Sequence, residues 1–247
     1  MKKIVLMYHD VYDNDPNTSG FIRPSMGQYK INCDIFEKQV HRIKEYITEH
    51  RNIQVVFSFD DGGCSFYSII APILEKYGFR GLFIICPNYI NQKGFLTSDQ
   101  LIELEHNGHI IGSHSYTHPD NITVLSYQDE EMEWRNSLLK LEEILGHKVN
   151  SISIPNGYFE KRTLSILKEM NISEVYTSEP ITKVKRYGNI SVIGRFVVHS
   201  TVTNKEVVKL LSSRTKRFFL QSRWFLLKIP KKLLGKNYNK IKQFILR

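Results

Sequence analysis

Short apolar, β-branched runs alternate along the chain with stretches of helical periodicity. The runs predict strands over Ile4–Tyr8, Gln54–Phe59, Gly81–Cys86, His109–Ser113, Ser151–Pro155, Glu174–Thr177 and Ser191–Val198. Between the first two, Phe36, Val40, Ile43 and Ile47 recur at helical spacing and define one apolar face. Comparable patterns predict helices over Ser65–Lys76, Ser98–Asn107, Tyr127–Leu145, Lys161–Met170 and Asn204–Ser212. Ser98 and Ser126 read as N-caps, and Gly108 and Gly146 stand where helices should stop. Strand–helix alternation of this kind implies parallel α/β architecture. About seven strands fit a distorted (β/α) barrel better than a regular eightfold one. Residues 11–32, with Pro16, Gly20, Pro24 and Gly27, make a loop too long for a connector; in a barrel it would sit over the carboxyl-end face. A second irregular loop is expected over Ser178–Asn189.

The length of 247 residues allows a large core, and 41% hydrophobic with 24% charged residues is an ordinary globular balance. The opening "MKKIVLMYHDVYDND" is basic, but its apolar stretch stops at Met7, too soon for a secretory signal. No later run approaches the roughly 18 residues of a membrane span. These features favour a cytoplasmic protein. Cys33, Cys64 and Cys86 are widely spaced and odd in number, which suggests neither a disulfide framework nor a thiolate zinc site.

Charge divides the chain in two. From Arg214 to Arg247 there are eleven Lys or Arg and no acid, whereas the body before it is nearly neutral. We therefore separate a catalytic domain, 1–213, from a basic tail, 214–247. An enzyme acting on nucleic acid would carry positive charge around its groove as well, so that class is disfavoured.

In parallel α/β folds reactive groups gather at the carboxyl ends of strands. Here those ends supply Tyr8-His9-Asp10, Asp60-Asp61-Gly62, "GSHSYTHPD" with His114 and His118, and "IPNGY" from Ile154 to Tyr158. His114 and His118 are four apart, so one helical turn or a tight loop can aim both imidazoles at one point. Two imidazoles and the Asp61 carboxylate would make a three-ligand site for zinc or a similar divalent ion. Asp60 would then stay off the metal and take a proton from water. Taken singly, a DD-GG turn, an HxxxH spacing or His9 each has an ordinary structural explanation; their convergence on one face is the signal.

The segments "FSFDDGGCSFYSIIAPILEKYGFRGLFIICPNYI", "LTSDQLIELEHNGHIIGSHSYTHPDNITVLS" and "LEEILGHKVNSISIPNGY" resemble, in order and spacing, the polysaccharide deacetylases of the NodB-homology group, carbohydrate esterase family 4. The likeness runs from about Lys3 to about Val198. It implies a distorted barrel that removes acetyl groups from N-acetylated sugars with a divalent metal, often zinc. Asp60 matches the family's general base; Asp61, His114 and His118 match its metal ligands. The general acid has two candidates. "LMYHDV" resembles the Tyr-His motif of the poly-N-acetylglucosamine deacetylase branch and favours His9, while "VVHS" offers His199. Asn156 would donate a backbone N–H to an oxyanion, and Tyr158 would border the substrate. The family's Arg-x-Pro motif, which steadies the base, is replaced by "SIPNG" with Ser153 in the arginine position; Arg195 is a candidate substitute. There is no counterpart of the family's Asp-x-x-Asp-Trp segment. Two further readings keep these residues: deacylation of a non-sugar amide or ester, and carbohydrate binding on a degenerate deacetylase scaffold.

In the tail, Leu234, Tyr238, Ile241 and Ile245 form an apolar stripe, and "KRFFLQSRWFLLKIPKK" mixes aromatics with cations, with Pro230 between the halves. Basic amphipathic helices with Trp and Phe bind anionic membrane surfaces, here the inner face of the membrane. A helix pair packed on the barrel or on a second subunit fits the pattern equally well.

Overall fold

The computed structural model describes residues 1–234, with backbone only over 228–234. The strands are β1 (Lys2–Tyr8), β2 (Asp10–Tyr12), β3 (Lys30–Asn32), β4 (Ile53–Asp61), β5 (Gly81–Ile85), β6 (Ile110–Ser113), β7 (Ser151–Ser153), β8 (Glu174–Thr177), β9 (Lys185–Tyr187), β10 (Ile190–Gly194) and β11 (Phe196–Val197). The helices are α1 (Cys33–Glu49), α2 (Ala71–Lys76), α3 (Ser98–His106), α4 (Tyr127–Leu145), α5 (Lys161–Glu169), α6 (Asn204–Ser212) and α7 (Arg214–Leu234).

The main sheet has the order β11-β1-β4-β5-β6-β7-β8-β10-β9, parallel throughout except for β9 against β10. The single strand expected over Ser191–Val198 is two. β10 pairs with β8, and β11 pairs with β1 at the opposite edge of the sheet. The chain itself thus bridges the two edges, bending at Gly194-Arg195. A side chain at Gly194 would put its Cβ 2.3 Å from the Glu179 carbonyl oxygen, so the bend needs glycine. Counting β10 and β11 as halves of one stave, the parallel positions number seven, as the alternation suggests.

Side chains facing outward from the strands pack under the helices. Ile4, Leu6, Tyr8, Phe57 and Phe59 join Phe36, Val40 and Ile43 of α1, with Val207, Leu210 and Leu211 of α6, in the largest core cluster. Tyr8 is a core residue, stacked near Phe57 and Phe59 with its hydroxyl donating to Gln39. A second cluster lies beneath α4 and α5, and a small third one joins Val5, Val56, Leu82, Ile84, Tyr176 and Ile193. On β4 the inward positions run Val56, Ser58, Asp60: two-residue alternation leads from an apolar floor to a polar mouth.

Helix boundaries follow local chemistry. Asn32 caps α1 and Ser126 caps α4, which ends at Gly146 with φ 77°. The cap of α3 is Thr97 rather than Ser98: Thr97 forms the reciprocal capping box with Gln100. The helix expected over Ser65–Lys76 begins with a wider turn over 66–70 before α2. The irregular loop of Ser178–Asn189 contains β9, and the long loop of residues 11–32 carries β2 and β3, paired in parallel. In the tail, helical backbone continues through Pro230 to Leu234, so Pro230 does not divide it. Tyr238, Ile241 and Ile245 of the expected stripe lie outside the described residues. No helix among the described residues is long and apolar enough to cross a membrane.

Candidate active site

Two adjacent residues of a strand ordinarily face opposite ways. Asp60 faces inward by alternation. Asp61, the last residue of β4, has φ 91°, a left-handed value that turns its carboxylate back to the same mouth. The His114 Nε2 then lies 3.7 Å from an Asp60 oxygen and 3.5 Å from Asp61 Oδ1, and His118 Nε2 lies 3.6 Å from Asp61 Oδ1. His114 and His118 belong to a tight loop after β6, not to a helical turn. Ser115 and His118 in that loop are left-handed at φ 63° and 58°, and Asn156, after β7, is too at φ 54°. Such backbone costs on the order of 1–3 kcal/mol per residue and persists where packing over-determines it. Four of the six non-glycine residues with positive φ, among those described, fall in this one neighbourhood.

The two aspartates are in opposite electrostatic situations. Asp60 is held bidentately by Arg195, at 2.6 Å to Oδ1 and 2.7 Å to Oδ2. Arg195 is itself buried and also donates to Ser153 Oγ, Ser58 Oγ and the Thr177 carbonyl, while Ser153 Oγ donates to Asp60. Burial alone would raise the Asp60 pKa, but Arg195 first, then His114, hold it well below the usual carboxylate range. Asp61 is as buried, yet neither of its oxygens has a hydrogen-bond partner. Burial, then the charges of Asp60 and Asp10, push its pKa well up.

Asp61, His114 and His118 are the one group of metal-ligating side chains among the described residues whose donor atoms fall within 4.8 Å of one another. Their chemistry fits a divalent cation. An orphaned buried carboxylate faces two imidazole nitrogens, and His114 Nδ1 lies 3.0 Å from the Ser153 carbonyl. That bond fixes the ring with Nε2 free to coordinate, a common outer support of metal-bound histidine. Burial holds the His114 imidazole down at about 3 and lowers that of His118, so both are neutral, as ligands must be.

The remaining expected residues surround this group. His9, after β1, packs on Tyr29 with ring centroids 4.3 Å apart, and burial pushes its imidazole down to about 4 against the pull of Asp60. His199 packs near the same Tyr29 ring at 5.0 Å, so the two candidate acids sit about one aromatic ring. Asn156 is exposed in the Pro155–Gly157 turn after β7, and Tyr158 is half-buried beside it. Asp10, grouped by the sequence with His9, takes no part in the cation group. It accepts hydrogen bonds from Ser19 (2.6 Å) and Ser65 (2.9 Å) and pairs with buried Lys30 at 3.3 Å, which fastens the long loop.

That loop covers the carboxyl-end face, as expected. Phe21 packs on Tyr89, Phe95 and His118, and Tyr29 reaches His9. Tyr29 and Phe21 carried no motif signal; only the length of their loop pointed to them. Arg195 does for Asp60 what the missing Arg-x-Pro arginine would do, and Ser153, standing in that position, completes the link.

A parallel barrel with two unlike carboxylates and two imidazoles at its mouth defines a class: a hydrolase with a site for a divalent cation. The match to the family model for polysaccharide deacetylase covers residues 48–175, and the chain belongs to that family. It is similar to a "Putative polysaccharide deacetylase YxkH" of Bacillus subtilis, at 28% identity over 51% of this chain and 45% of that one. It is also similar to a peptidoglycan-N-acetylglucosamine deacetylase of Bacillus cereus, at 30% identity over 52% and 46%. The chain thus matches about half the length of these curated relatives. Among solved structures, the Streptococcus pyogenes deacetylase PplD in complex with acetate superposes with a TM-score of 0.69 at 20% identity, over 85% of this chain and 98% of that one, a likeness of fold.

Proposed function

We propose that this chain hydrolyses the acetamido group of an N-acetylated sugar within a glycan or glycan precursor. The observation that carries the reading is the unlike state of neighbouring carboxylates: Asp60 locked to Arg195, Asp61 buried with no hydrogen-bond partner opposite two imidazoles. Deacetylases of this family use a divalent metal. Asp61, His114 and His118 would hold it, and two nitrogens with one oxygen suit zinc. When bound, such an ion supplies Lewis-acid activation of the acyl carbonyl and of water.

The protein's own groups do the rest. Asp60, kept ionised by Arg195, accepts the proton of the attacking water, and the bidentate pair fixes where that oxygen stands. The Asn156 backbone N–H is assigned to the oxyanion and Tyr158 to the sugar. The departing amine needs a proton, and His9 is the donor we assign. Burial, only partly opposed by the Asp60 charge, holds its imidazole down to about 4, so the ring carries that proton only transiently during turnover. His199, on the same Tyr29 ring, is the alternative, and the larger loss of kcat between His9→Ala and His199→Ala identifies the donor.

The test is acetate release from N-acetylglucosamine oligomers with and without chelator. Chelator-sensitive release is expected. Binding of the oligomers without release would favour a carbohydrate-binding protein instead, and release only from ester or non-sugar amide substrates would move the reaction to another acyl group.

A further inference from the structure

Within α7, Phe218 and Phe225 lie seven residues apart, with Phe219 and Leu226 beside them, which puts all four on one side of the helix. These side chains are 68%, 62%, 62% and 70% exposed, respectively, so the face has no partner among the described residues. The opposite side is what attaches α7 to the barrel. Arg217 is buried and donates to the Leu210 and Leu211 carbonyls at the end of α6, at 2.6 and 2.8 Å, and Leu220 packs against the main core. The helix is therefore held in a fixed orientation with its aromatic face turned out. Arg214 and Arg223 lie on the same helix, and the whole run from 214 to 247 has no acid.

We infer that this face of α7 is a docking surface for an anionic lipid bilayer, seated amino end of the barrel first. Lys216 pairs with Glu206 of α6, but Arg214 and Arg223 have no acidic partner among the described residues. Aromatic side chains bordered by such cations match the headgroup boundary of an anionic bilayer, where rings bury and cations meet phosphate. A second copy is a poorer occupant, because two such surfaces would oppose cation to cation. The seating follows from where α7 begins. The Val202 carbonyl, just ahead of α6, accepts from Gln39, which itself accepts from Tyr8 at the mouth end of β1. α6 then runs back toward the start of that strand, where Arg217 and Arg214 add to the burial that lowers the Lys2 pKa. His9 and the cation group stand at the other end of that strand, roughly 20 Å away at about 3.3 Å per residue. The catalytic mouth is thereby turned from the bilayer, toward glycan that extends off the surface.

Co-sedimentation of the full chain with vesicles tests the surface. Binding is expected to equal parts phosphatidylglycerol and phosphatidylcholine, and little to phosphatidylcholine alone. Phe218→Ser/Phe225→Ser should weaken it by at least about tenfold, while its circular dichroism melt stays unchanged because both rings are exposed. Equal binding to neutral vesicles, no binding to anionic ones, or a double variant that binds as well as the parent would overturn the proposal. So would a parent dimer that the double variant converts to monomer without any vesicle association. Hydrogen exchange tests the seating: vesicles should protect residues 214–227 and leave 13–32 unchanged, and protection of the loop instead would refute it.

Discussion

Asp10 and Asp61 are both buried, and they sit on neighbouring parts of the same barrel mouth, one just past β1 and the other ending β4. Asp10 has everything a buried carboxylate needs: two hydroxyl donors and the Lys30 ammonium. Asp61 has none of it. An unpaired buried charge is among the costliest features a fold can carry. At Asp10 the fold supplies its own cation; at Asp61 it leaves two bare carboxylate oxygens facing a pair of imidazoles. Asp10, with Ser19 and Lys30, is a latch that holds the long loop. Asp61, with His114 and His118, is the receptor that the proposed function calls for. Asp60 is a third case, supplied with a cation by Arg195 and so kept from competing for the same ion.

Breaking the receptor should have the largest effect. His114→Ala is expected to lose the bound ion and to lower deacetylase activity by about a thousandfold or more; metal content by mass spectrometry and acetate release measure the two together. Asp60→Asn comes next, with kcat lower by about 10²- to 10⁴-fold. Because it also leaves the buried Arg195 without its counter-charge, a loss of about 3–5 kcal/mol in urea unfolding should accompany it while the ion still binds.

Arg195→Met sharpens the contrast from the other side. It strands a buried carboxylate and should cost about 3–5 kcal/mol in urea unfolding, with Arg195→Lys recovering a part of it. Lys30→Met should cost somewhat less, about 3 kcal/mol, because Ser19 and Ser65 still serve Asp10. It should loosen residues 13–32 to protease and leave metal stoichiometry intact. A Lys30→Met protein that lost its metal would erase the distinction between latch and receptor.

Much of the barrel was legible because strands buried on both faces read as unbroken apolar runs, as in "IVLMY" and "GLFII". β9 was not, since "KRY" is exposed and charged and becomes a strand only by pairing with β10. The break at Gly194-Arg195 was hidden for a similar reason: it is set by which neighbours each half meets, a tertiary fact. At the site, Asp60, Asp61, His114 and His118 could be read from strand ends and spacing. That the adjacent aspartates reach one mouth depends on the left-handed φ of Asp61, which no residue pattern announces, although Gly62 hinted at a turn. The partnership of Arg195 with Asp60 spans 135 residues and surfaced in the sequence only as a candidate for a missing arginine. Tyr29 left no trace beyond its loop, because what places it is the docking of that loop: Ser200 donates its backbone N–H to the Gln28 carbonyl.

Calorimetric titration of zinc into metal-free protein, run in parallel on the parent, Asp60→Asn and Asp61→Asn, addresses the division between the paired acids most directly. One tight site is expected in the parent and in Asp60→Asn, and none in Asp61→Asn. Zinc binding that survives in Asp61→Asn, or vanishes in Asp60→Asn, would contradict it.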